Sequence, residues 1–382
     1  MSKNRTIIYL AGFLFSIPLA LTSYINSSFL ENYINKNYIG IIYVIASLFT
    51  IFGLLKMPKI LNRIGNRSTA LYFGIIIFIS LLLLAFGKSA FFVLPAFILY
   101  FFSSNFIIAS LDIFIEDFSK NSNIGKFRGI YLTIINGAWI VAQLISGSII
   151  AKSSFKGIYL FSAIFIALFS FLFILFLHNF KDPEYKKMSV LKTLKFFIKN
   201  KAISKIYLIY FLLRFFYAWM VIYTPIYLHE YLGFGWSQIG IIFTIMLIPF
   251  VILDYPLGKL SDKIGEKKML IIGFFINIIF TLLIPLISEP RVWIWAIILF
   301  GTRVGSATIE AMSEIYFFKK IDAENSEAIS FFRNTYSLSF VIAPIIATPI
   351  LFLIPSFKYL FFILGAIMLV GLLISYRIRD IK

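Results

Sequence analysis

"GKLSDKIGEKKML", residues 258–270, interrupts a chain written mostly in Ile, Leu, Phe and Tyr. Lys259, Asp262, Lys263, Glu266, Lys267 and Lys268 crowd charge into a short stretch, punctuated by Gly258 and Gly265. The same stretch has a counterpart upstream. "NRIGNR" begins at Asn62 and "DKIGEK" at Asp262, while "IGIIYVIASL" begins at Ile39 and "IGIIFTIMLI" at Ile239. Both matches have one offset, so an apolar segment of helix length and the loop that follows it occur twice in register. That is the signature of an internal repeat. The burst of charge is a tight polar turn that recurs by duplication.

Around the turn, hydrophobic residues make up 60% of the 382 and charged ones only 14%. A soluble globular chain is typically about half apolar and about a quarter charged. With a mean hydropathy of +0.94, the composition predicts an integral membrane protein. A span needs roughly 20 mostly apolar residues. Twelve segments meet that length, at 6–27, 38–55, 68–87, 90–111, 128–151, 157–178, 204–227, 237–256, 269–287, 291–312, 328–350 and 357–376. Only helices and closed barrels cross lipid, and runs this long and unbroken predict helices. The first runs through Asn26 without a small-residue cleavage site and is expected to be retained as a helix.

Lys and Arg are distributed unevenly between alternate loops. On one side lie only Lys36, Lys88, Lys152, Lys156, Arg291 and Lys358; most of the remaining basic residues fall on the other. The positive-inside rule then puts both termini in the cytoplasm of a multi-pass protein of the cytoplasmic (inner) membrane. The formal charge of +18 sets topology and favours anionic membrane lipids as partners; it does not indicate nucleic acid. The longest polar stretch, from Asn179, contains "KDPEYKKMSVLKTLKFFIKNK" and divides the segments six and six. The expected organisation is a six-helix bundle over 1–178, a cytoplasmic linker with a short amphipathic helix over 179–203, and a second six-helix bundle over 204–382.

The repeated turn resembles the loop signature of the major facilitator superfamily (MFS), Gly-x-x-x-Asp-Arg/Lys-x-Gly-Arg/Lys-Arg/Lys. Gly258, Asp262, Lys263, Gly265 and Lys267 fit it, and Glu266 departs at the first of the two basic positions. The first-half copy has Pro58 and Asn62 in place of the Gly and Asp but keeps Arg63, Gly65 and Arg67. The resemblance covers essentially the whole chain. It implies an all-α membrane fold of twelve transmembrane helices in two pseudo-symmetric six-helix bundles, working by alternating access. It also implies a gating latch, in which Asp262 braces the other half, Lys267 pairs with Glu314, and Arg67 faces Asp112 or Glu116. The plainer reading of these charges is a solvated loop that only enforces topology.

Residues at i, i+3, i+4 and i+7 share a helix face. The seventh segment carries Tyr207, Tyr210, Arg214, Tyr217 and Thr224 on one stripe, and the tenth carries Arg303, Ser306, Glu310, Ser313 and Glu314. The fourth carries Asn105, Asp112 and Glu116; the fifth carries Asn136, Trp139 and Gln143. The resemblance implies a central cavity lined by segments one, four, seven and ten. Arg214 and Arg303 fall deep inside their spans, where an ionisable group faces a partner or a water-filled path and a guanidinium stays charged. Three readings stand side by side: an anionic substrate clamped by these arginines, a permanent Arg303–Glu310 pair that holds one helix in place, and a neutral substrate held by hydrogen bonds. Asn105, Asn136, Gln143 and Tyr217 join the candidate substrate site. Glu310 is the candidate proton carrier, because burial favours a protonated carboxylate and a neighbouring guanidinium the charged one.

Enzyme chemistry is not indicated. His178 and His229 lie too far apart to suggest a metal site, no cysteine is present, and no GxxxxGK[ST] loop suggests nucleotide binding. No cofactor is expected. The sequence therefore points to a monomeric secondary transporter, symporter or uniporter, moving a small solute, possible classes including an organic anion with proton coupling. The alternative is a non-transporting sensor or lipid- or ligand-binding membrane protein on the same fold.

Overall fold

The computed structural model describes residues 3–119, 124–176, 190–321 and 326–379. Among them every regular element is helical. Among the described residues ten helices are long and apolar enough to cross a membrane. The chain divides into two compact units, residues 1–187 with 235–240, and residues 188–234 with 241–382.

The first unit is built on α1 (Lys3–Ser23), α2 (Asn26–Leu30), α3 (Ile39–Leu55), α4 (Met57–Ile64), α5 (Asn66–Phe86), α6 (Ala90–Ser119) and α7 (Ile124–Leu175). Its core joins α1 to α7 through Ile17, Ala20 and Leu21 against Ala138, Ala142 and Ile158. The fifth and sixth apolar segments of the sequence are one 52-residue helix, α7, broken only at Ser154 (φ 54°, ψ −167°). Nothing between Lys152 and Lys156 forbids helical backbone, since the stretch holds neither Pro nor Gly. At 1.5 Å per residue α7 would otherwise run about 78 Å, more than twice the hydrocarbon thickness of a bilayer. The break at Ser154 is what lets the polypeptide turn.

In the second unit lie α8 (Val190–Lys199), α9 (Lys201–Ile226), most of α10 (Trp236–Ile252), α11 (Asp254–Ile264), α12 (Glu266–Leu283), α13 (Val292–Lys320), α14 (Ser326–Arg333), α15 (Thr335–Leu353) and α16 (Tyr359–Tyr376). The eighth apolar segment ends early: α10 stops at Ile252, and the polar α11 begins at Asp254. α12 and α13 cross in close contact because Gly273 and Gly305 face one another. A Cβ on Gly305 would lie 2.5 Å from the Asn277 amide nitrogen and 2.6 Å from the Gly273 carbonyl oxygen. Asn277, buried at the crossing, donates to Ser306 Oγ at 2.9 Å and to the Thr302 carbonyl at 3.3 Å. This crossing fixes the rotation of α13, and with it the directions of Arg303 and Glu310.

The internal repeat is visible in the backbone. Gly65 (φ 78°, ψ 162°) and Gly265 (φ 85°, ψ 151°) each sit between a short polar helix and a long apolar one. Positive φ suits glycine, so the turn needs it in both copies.

Candidate functional site

The second unit gathers the polar stripes of α9 and α13 into one network. Arg214 Nη2 lies 2.7 Å from Glu310 Oε1. The Tyr217 hydroxyl donates to Glu310 Oε2 at 2.9 Å. The same Arg214 nitrogen also donates to the Tyr210 hydroxyl, which in turn donates to Glu314 Oε1 at 3.1 Å. Tyr210, Arg214 and Tyr217 meet these acids because they stand one and two turns apart on a single face of α9, as Glu310 and Glu314 do on α13.

Arg303 is placed differently. Its side chain is 1% exposed, and its buried Nη1 has no hydrogen-bond partner among the described residues. Its guanidinium carbon lies 5.3 Å from the centre of the Tyr217 ring and 5.4 Å from that of Phe216. Arg214 approaches Tyr217 from its own side at 5.6 Å and Tyr210 at 4.6 Å. One aromatic ring therefore contacts two guanidiniums. Cation–π contact relieves part of the cost of desolvating a cation, but an unsatisfied buried N–H still carries a penalty of about 1–3 kcal/mol. Arg214 and Glu310 remain partly accessible, whereas Arg303 lies behind Tyr217 and Phe216.

The Arg303–Glu310 pair considered from sequence is not the one that forms, since Glu310 turns across to α9. The reason is geometric: seven residues along a helix separate the two side chains by about 10 Å. A stack of rings supports the network from below, with Tyr210 on Phe332 at 4.2 Å and Phe332 on Phe317 at 4.0 Å.

The other candidate binding residues belong to the first unit. Gln143 is buried and donates to the Ala20 carbonyl at 2.6 Å, tying α7 to α1. Asn105 donates to the Phe101 carbonyl of its own helix at 2.8 Å, and Asn136 is half-buried on α7.

The residues of the turns are placed as follows. Gly258 lies within α11, Lys263 and Arg63 are exposed, and Lys267 is half-buried. The side chains of Asp262 and Glu116 lie outside the described residues, as does the linker from 177 to 189. Arg67 donates to the carbonyls of Phe173 (3.0 Å) and Ile174 (3.1 Å), at the C-terminal end of α7, where a cation complements the helix dipole. Asp112 is half-buried on α6, and Glu314 accepts from Tyr210 as described.

The residue that departs from the motif proves to be tightly engaged. Glu266 opens α12, is 2% exposed, and meets Lys319 Nζ at 2.5 Å in the last turn of α13. Its first-unit counterpart, Asn66, opens α5 and donates to the Ser110 carbonyl of α6 at 3.0 Å. Both copies thus use this position to tie the helix after the turn to the helix that follows it. The signal available in the sequence was the complementary charge of Glu266 and Lys319 at opposite helix ends.

Three comparisons bear on this arrangement. The chain matches the sequence model of the Major Facilitator Superfamily over residues 8–247 and again over 206–381. No curated protein matches it. Among solved structures, the nucleoside transporter NupG superposes with a TM-score of 0.79 at 13% identity, covering 100% of both chains. A POT family transporter in complex with a thioalcohol-conjugated peptide gives 0.78 at 13% identity, covering 98% of this chain and 95% of that one. A POT family transporter in complex with 5-aminolevulinic acid gives the same values.

Proposed function

Because the chain belongs to the Major Facilitator Superfamily, a family of multi-pass membrane transporters, we propose that it is a secondary transporter of a small organic anion working by alternating access. Twelve crossings follow if α7 is counted twice, once on each side of Ser154, and if the 17-residue α10 joins the ten longer spans. The charge asymmetry of the loops then puts both termini on the cytoplasmic side of the cytoplasmic membrane.

One observation carries the choice of substrate class. Arg303 keeps a buried guanidinium nitrogen that no described residue partners, beside a second arginine whose partner, Glu310, is a carboxylate. In the resting network Glu310 occupies the position that a substrate carboxylate, phosphate or sulfate would take on Arg214. An incoming anion competes with Glu310 for Arg214. Once Glu310 leaves, Tyr217 loses its acceptor, and displacement of its ring opens Arg303 to the anion. A guanidinium on each side then clamps one anionic group, the arrangement for which arginine geometry is suited. The displaced Glu310 is the group available to take a proton, which would couple substrate entry to proton movement. At the turns, Asp262, Lys263 and Lys267, with Arg63, Arg67 and Asp112 in the other copy, bias the opening equilibrium through weak pairs that can break in each cycle.

The test is a ligand-stabilisation screen of the purified protein in detergent, using matched anionic, neutral and cationic metabolites on the wild type, Arg214→Ala and Arg303→Ala. A nucleoside, a dipeptide and 5-aminolevulinic acid belong in the set because of the fold neighbours. The expected result is a rise in melting temperature with an anion for the wild type alone. If only neutral or cationic ligands stabilise the protein, and the variants respond equally, the arginines are internal struts. Stabilisation without flux in proteoliposomes would favour a sensor instead.

A further inference from the structure

α8 carries three distinct faces on ten residues. Thr193 and Phe197 point inward and are buried. Leu191, Leu194 and Ile198, at i, i+3 and i+7, form an apolar stripe that the protein leaves uncovered, with Leu191 73% and Ile198 67% exposed. Lys192, Lys195 and Lys199, with the same spacing, form an exposed basic stripe. At 100° per residue the basic stripe runs directly alongside the apolar one.

The orientation of these faces is fixed by packing. Phe197 lies 5.3 Å from the Tyr207 ring and 4.7 Å from the Phe331 ring. The joint to α9 is equally constrained: Asn200 Oδ1 accepts from the amides of Ala202 and Ile203, both at 3.2 Å, and Ser204 Oγ donates to the Phe197 carbonyl. α9 is itself the start of the membrane span Lys201–Tyr231. α8 is therefore held at the N-terminal end of a helix long and apolar enough to cross a membrane.

From this geometry we infer that α8 is a docking surface for anionic phospholipid of the surrounding membrane. Leu191, Leu194 and Ile198 enter the acyl boundary, and Lys192, Lys195 and Lys199 lie against head-group phosphates. In the topology proposed above this is the cytoplasmic leaflet, but the surface does not depend on the transport reading. A helix that is apolar on one side and lysine-rich beside it, lying in the interface plane, binds by buried apolar area together with attraction to anionic lipid. A soluble partner would also cover apolar side chains, but it would compete with the bilayer that the adjoining span places at this level. Each lysine near an anionic surface strengthens association about fivefold, and three together on the order of 100-fold.

The test uses the full chain in nanodiscs. The sequence contains no cysteine, so Ile198→Cys accepts a single environment-sensitive fluorophore, with Leu191→Cys as a second site should the first label perturb folding. Quenching by lipids carrying a nitroxide on the acyl chain is measured in zwitterionic bilayers and in bilayers containing phosphatidylglycerol. The expected result is strong quenching in the anionic bilayer that is reduced by high salt. Substituting Lys192, Lys195 and Lys199 together by Gln should lower the docked-to-free ratio on the order of 100-fold, with the melting temperature unchanged. Equal quenching in both bilayers, or in the triple variant, would show that anionic lipid is not recognised. A label shielded from solvent yet unquenched by lipid would show that protein covers the stripe, and would overturn the proposal.

Discussion

Replacing Lys319 should harm the protein more than replacing its partner Glu266, although both changes remove the same ion pair. Glu266 is 2% exposed and Lys319 40%. In Glu266→Gln the freed ammonium swings into solvent and rehydrates. The loss is then the pair itself, worth up to about 1 kcal/mol for an exposed pair, plus about 0.3–1 kcal/mol for a negative charge at the start of α12. In Lys319→Gln the carboxylate stays buried without its cation. Breaking a fully buried pair costs about 3–5 kcal/mol, and the N-terminal dipole of α12 offsets up to about 1 kcal/mol of that. The expected costs are therefore about 1–2 kcal/mol for Glu266→Gln and about 3 kcal/mol for Lys319→Gln. For a chain of 382 residues each kcal/mol shifts melting by roughly 1 °C, so melting in detergent should separate the two variants by about 1–2 °C. The double variant should resemble Glu266→Gln, because no buried charge is left alone. Reversing the pair, with Glu266→Lys and Lys319→Glu together, should not restore stability, since each charge then opposes its helix dipole. A Glu266→Gln variant that melts below Lys319→Gln, or a reversed pair that melts like the wild type, would refute this reasoning.

Gly305→Ala should lower the melting temperature, because a Cβ 2.5 Å from the Asn277 backbone forces α12 and α13 apart at a cost of about 1–3 kcal/mol. Ser154→Gly should raise it by the equivalent of about 1 kcal/mol, since Ser154 holds a positive φ that glycine adopts freely. Arg67→Met should speed hydrogen exchange in the last turn of α7, where two carbonyls lose their donor, by an amount equivalent to about 1–2 kcal/mol.

The membrane class and the helical fold were legible because hydropathy over long segments is a strong signal, and the repeat was legible because Gly65 and Gly265 are required by backbone geometry in both copies. The break inside α7 was legible only as a gap between apolar runs, because Ser154 is no helix breaker by residue type. Periodicity placed Arg214 and Tyr217 on one face and Glu310 and Glu314 on another, and these faces meet. Which residue pairs with which was not legible, because contact across helices depends on the rotation that the Gly273–Gly305 crossing imposes on α13. Tyr210 as a bridge between Arg214 and Glu314 was hidden for the same reason. Glu266 read as a departure from a motif, when its burial against Lys319 is what gives that position its role.

The substrate reading rests on two arginines, Arg214 held by a resident carboxylate and Arg303 held by none among the described residues. Its most direct test is the affinity of a stabilising anion for the wild type, Arg303→Gln and Glu310→Gln, measured by titration calorimetry. The account predicts opposite signs: weaker binding in Arg303→Gln, where half the clamp is gone, and tighter binding in Glu310→Gln, where the competitor for Arg214 has lost its charge. Unchanged affinity in Arg303→Gln together with weaker binding in Glu310→Gln would contradict it.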